Sequence, residues 1–159
     1  MWLSAGVHRE APLVGHAGLT DEVAAMETQV ALDPGDVEKL TALCSTYLDR
    51  EAPGFALAAI HRAPEQVRQD PKVNHLWARA LLHEGHASEA LAKQRTVLAD
   101  CQKTACSPSL VAGAMRHEAF LSAMVANGVE DYRRHPDLTV DAFHSMRGTT
   151  VAVLDLPNR

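Results

Sequence analysis

Nine histidines in a chain of 159 residues raise metal ligation as the first chemistry to weigh. His83 and His86 stand three apart around Glu84, a spacing that puts two imidazoles on one helix side if the helix runs through both. Gly85 lies between them and favours a helix end there, and zinc hydrolases need a glutamate between histidines four apart. His117-Glu118 has leucine, not histidine, at the required distance. Cys101 and Cys106 are separated by four residues, so they lack the two-residue spacing of zinc knuckles and redox motifs. They read as free or structural thiols, with a loop disulfide as the special alternative. No Gly-x-Ser-x-Gly elbow and no glycine-rich phosphate loop ahead of a lysine occurs. The acidic pairs Asp21-Glu22 and Glu130-Asp131 fall where helices are expected to begin, and Arg133-Arg134 where one ends, so helix dipoles account for both. The reactive residues therefore favour a non-enzyme without metal or cofactor. An enzyme or metal-binding protein using the histidine-rich helices is the competing reading.

The elements that carry these residues read as helices. The apolar share is 47% but aromatics are only 4%, so alanine, leucine and valine must fill the core, which suits close helix packing. The chain length fits one domain. Net charge is −5, with nine acids against three bases in residues 1–60 and near balance afterwards, which is no footprint of a nucleic-acid binder. No apolar run is long enough for a membrane span, and the first residues lack a signal-peptide centre, so a cytoplasmic protein is expected.

Along the chain, residues 1–19 show no sustained period and are expected to form an irregular arm. Thr20 is expected to cap a helix that stops at Asp33-Pro34-Gly35. Asp36 opens the next, with Val37, Leu40, Leu43, Cys44 and Tyr47 on one stripe, and another runs from about Phe55 to Pro64. Asp70-Pro71 starts a helix ending at Gly85, and its neighbour covers residues 87–101. Ser107-Pro108 caps a long helix ending at Asn127-Gly128, followed by short helices at 129–135 and 137–147. The stretch 149–156 is rich in β-branched residues and is expected to be extended.

Part of this pattern repeats at an offset of 34 residues: Leu43, Cys44, Tyr47, Ala56 and Leu57 return as Trp77, Ala78, Leu81, Ala90 and Leu91. With its small residues at Cys44, Ala56, Ala78 and Ala90 between larger ones, the segment 37–101 resembles the tetratricopeptide repeat family. It departs from that pattern where an aromatic is usual on the second helix, holding Ile60 in one copy and Gln94 in the other.

The resemblance implies an all-α array of stacked antiparallel helix hairpins over residues 20–147, flanked by the arm at 1–19 and a tail at 148–159. It implies a non-catalytic adaptor or assembly factor that binds a peptide or partner helix on its concave face. On the first helices, the flank opposite the buried stripe presents Thr41 and Ser45 with Glu38 and Leu48, then Lys72, His75, Arg79 and Leu82; Asn74 falls on the other side. The set Thr41, Ser45, Lys72, His75, Arg79 and Leu82 is the expected binding surface, and its cations favour an acidic partner. Trp2 and the extended tail further suggest self-association, the tail by strand addition.

Overall fold

The structure, a computed structural model, describes residues 17–154 and side-chain surroundings for residues 21–146. The described residues form eight helices and no strand: α1 (Ala17–Leu32), α2 (Val37–Asp49), α3 (Pro53–Arg62), α4 (Glu65–Arg68), α5 (Pro71–Glu84), α6 (Ala87–Lys103), α7 (Pro108–Ala126) and α8 (Pro136–Leu154).

Local chemistry sets most of these limits. Asp36, Asp70 and Ser107 each accept a backbone N–H from the first turn of α2, α5 and α7, satisfying donors the helix cannot pair itself. Proline opens α3, α5 and α7, where its missing N–H costs nothing. Gly85 ends α5 in the left-handed region at φ 89°. No side chain of its own caps α6. Glu130, from the loop after α7, takes that place by accepting the Ser88 N–H at 3.0 Å and the Ser88 hydroxyl.

Successive helices pack on one another: α1 on α2, α2 on α3 and α5, α3 on α5, α5 on α6, α6 on α7 and α7 on α8. The small residues lie at the crossings. Cys44, Ala56, Ala78 and Ala90 are fully enclosed, and the Cys44 thiol sits 3.8 Å from the Ala56 carbonyl. Leu40, Leu43, Tyr47, Ile60, Val73 and Leu76 fill the core of α2, α3 and α5. Leu81, Leu91, Leu121, Met124, Val129 and Ala142 fill a second core of α5 to α8, and Trp77 and Leu57 border both.

Four expectations need correction. Helix α1 already includes Ala17, Gly18 and Leu19, so Thr20 is not its cap; a cap preference is worth about 1 kcal/mol and yields to a continuing helix. Residues 129–135 form turns rather than a helix. Asp131 accepts the Arg133 N–H at 3.0 Å and Glu130 is drawn to α6, so local acids divert the backbone. The tail is helical as far as Leu154. Strand preference of β-branched residues spans only about 1 kcal/mol, whereas a lone strand would leave its backbone groups unpaired. Strand addition by residues 148–154 lapses with that correction. Finally, Cys101 and Cys106 are joined in a disulfide, because the turn after α6 brings their Cα atoms to 5.3 Å. Residues 1–16, with Trp2 and most of the expected arm, and residues 155–159 lie outside the described residues.

Candidate binding groove

At two enclosed positions the second copy carries an amide where the first is apolar: Asn74 for Leu40 and Gln94 for Ile60. Ile60 of α3 and Gln94 of α6 stand in the same register, and both are fully buried. An amide at an apolar position must find partners, since burying it unpaired costs several kcal/mol on the order of its desolvation. Gln94 Oε1 lies 3.0 Å from His75 Nδ1 of α5 and 3.0 Å from His117 Nδ1 of α7. The two rings meet edge to face at 5.8 Å. Gln94 Nε2 is enclosed and meets no partner among the described residues.

Helical spacing then builds a groove above this hub. Successive turns of α5 bring His75, Arg79, Leu82 and His83 to one side, and those of α7 bring Gly113, Arg116, His117 and Phe120 to face them. Phe143 and Met146 of α8 complete the lining of a groove of about 400 Å³. Unlike α2 and α5, the helices α5 and α7 are not a closely packed pair, which leaves room for it. A second cavity of about 370 Å³ lies among Val30, Leu43, Ala59 and Ala63, with Glu27 and Arg62 as its charged members. Glu27 already receives the Tyr47 hydroxyl.

The electrostatics of the groove follow from burial. Burial pushes the His117 pKa down to about 4, helped by His75, Arg79 and His83. His75 is lowered by burial and by Arg79, against a hydrogen bond to Gln94 that opposes the shift. His83, whose Nδ1 is 3.3 Å from the Tyr132 hydroxyl, is lowered by burial and by Arg79 and Arg133, against Glu51 and Glu84, which oppose the shift from outside the groove lining. All three are neutral at neutral pH, so the charge comes from Arg79 and Arg116. Arg50, Arg95, Arg133 and Arg134 hold carboxylates, whereas Arg79 and Arg116 have none among the described residues. Among the described residues, no carboxylate lines the groove.

Of the expected surface, the groove brings together His75, Arg79 and Leu82. Lys72 is instead paired with Glu38, one repeat earlier on α2. The Thr41 hydroxyl turns back to the Glu38 carbonyl at 3.0 Å, and partly buried Ser45 does not line the groove. Leu48 belongs to the core at 4% exposure. Asn74 is buried, on the side expected of it. Sequence reasoning missed Gly113, Arg116, His117, Phe143 and Met146, which lie beyond the repeat; Gln94 was visible as a departure from it.

His86 reaches Glu89 at 3.7 Å, and among the described residues no group of three or more His, Cys, Asp or Glu is placed to hold a metal ion. No helix of the described residues is long and apolar enough to cross a membrane. No protein family, curated protein or solved structure matches the chain.

Proposed function

We propose that the protein is a non-catalytic binding module built on tetratricopeptide-like hairpins, and that the groove between α5, α7 and α8 receives a segment of a partner polypeptide. The observation that carries this reading is the groove itself, where two arginines that meet no carboxylate among the described residues stand beside Leu82, Phe120 and Phe143. A site of one charge sign with apolar walls suits a segment that alternates acidic and apolar residues. The repeat supports the hairpin reading: small residues one repeat apart, Cys44 with Ala78 and Ala56 with Ala90, are equally enclosed, and Glu38 and Lys72 at the same offset touch across α2 and α5.

The Cys101–Cys106 bridge favours an oxidising compartment over the cytoplasmic location that the sequence suggests, because cytosolic thiols are kept reduced.

The test compares proteins that co-purify from the native cell with wild type, with Arg79→Glu/Arg116→Glu and with Lys72→Glu. Loss of a partner in the first variant, with retention in the second, is the expected result. Unchanged binding by a folded Arg79→Glu/Arg116→Glu protein overturns the proposal.

A further inference from the structure

The unpaired amide of Gln94 points to the ligand. With the oxygen of Gln94 between the two histidines, each Nδ1–H donates to it, and the enclosed NH2 group keeps two hydrogens without an acceptor. The reverse amide orientation has the same shape and leaves less unpaired. Both amide hydrogens then find an imidazole nitrogen, and the group left over is a carbonyl oxygen, which buried structure tolerates better than N–H.

That orientation fixes the tautomers. If His75 and His117 accept at Nδ1, each carries its hydrogen at Nε2, on the edge turned away from Gln94. Gly113 lies beside that edge of His75: a Cβ there would stand 3.9 Å from His75 Nε2, in ordinary contact, and the glycine leaves the edge more open at a cost to helix α7 of about 1 kcal/mol. The groove then offers two neutral N–H donors beside Arg79 and Arg116, with no acid on its walls among the described residues.

We infer that this groove binds a carboxylate, held by the Nε2–H groups of His75 and His117 and by the guanidinium groups of Arg79 and Arg116. A carboxylate presents two oxygens with about four acceptor positions, which four donor groups can satisfy. A phosphate adds oxygens for which the Leu82, Phe120 and Phe143 walls have no donor. Within the binding function proposed above, the anchor of the partner segment is an acidic side chain flanked by apolar residues.

The test is an NMR titration of the whole protein, labelled at histidine ring nitrogens, with N-acetyl-glutamate N-methylamide and, in parallel, with inorganic phosphate. The free protein is expected to show His75 and His117 as Nε2–H tautomers. Their Nε2 signals are expected to move on adding the glutamate derivative, with little response to phosphate at equal ionic strength. Gly113→Ala, which fits sterically and favours the helix, is expected to weaken that binding at least tenfold while remaining folded. Nδ1–H tautomers, a response to phosphate alone, no response to the glutamate derivative, or binding untouched by Gly113→Ala each overturns the assignment. These outcomes are separable from the broader proposal: a partner lost on Arg79→Glu/Arg116→Glu, with no response to the glutamate derivative, removes the carboxylate and leaves the binding groove.

Discussion

His75, His83 and His117 are held neutral by their surroundings, and that makes stability depend on pH in a stated direction. His117 titrates near 6.5 in the unfolded chain and at about 4 in the fold, so between those values the unfolded chain binds the extra proton. The stability contributed by this group is complete above pH 6.5 and is lost as pH falls toward 4. His75 and His83 are shifted the same way. Urea unfolding at pH 7 and pH 5 is expected to show a loss on the order of 1–2 kcal/mol at the lower pH, with a smaller loss in His117→Gln. Equal stability at the two values would contradict the burial of these rings. At this scale the groove gathers three of the six residues of the expected surface. His75, Arg79 and Leu82 follow from helical spacing on a helix whose buried stripe is plain. Lys72 stands apart from the groove, and only the stacking of α2 on α5 reveals its pairing with Glu38. Partners on α7 could not be read, since that helix does not follow the repeat.

The ends of the helices carry the next set of expectations. Gly85 and Gly128 both have positive φ, at 89° and 71°, but their surroundings differ. A Cβ on Gly85 would lie 2.9 Å from Asp131 Cγ, while one on Gly128 meets nothing within 4 Å. Gly128→Ala should cost about 1 kcal/mol for the left-handed backbone alone. Gly85→Ala should cost about 1–2 kcal/mol more, because Asp131 must move from Arg133; thermal unfolding of both variants gives the comparison. The Cys101–Cys106 bridge closes a short loop between α6 and α7, so Cys101→Ser/Cys106→Ser is expected to lower stability by about 2 kcal/mol, measured in denaturant. Helix limits marked by Asp36, Asp70-Pro71, Gly85 and Ser107-Pro108 were legible, because capping and proline chemistry act within one turn. The disulfide, the turns at 129–135 and the helical tail were not. Each depends on a partner or an unpaired backbone that a local pattern does not contain, as with Glu130 at the start of α6.

At the scale of the molecule, the 34-residue register of residues 37–101 organises the packing and places the groove that we propose for binding. Small residues at Cys44, Ala56, Ala78 and Ala90 let successive helices approach, and the copy that carries glutamine at the Ile60 position gathers histidines from α5 and α7. The all-helical fold was legible from the low aromatic content and the 34-residue echo, while the groove needed α8, whose Phe143 and Met146 no repeat pattern supplies. The proposed docking of another polypeptide in this groove is measured by light-induced cross-linking in the native cell from a benzoylphenylalanine placed at Leu82 in the groove or, separately, at exposed Thr96 on α6. A discrete adduct with a second polypeptide is expected from position 82, abolished by Arg79→Glu, and none from position 96. Adducts in equal amount from both positions, or none from position 82, would contradict the proposal.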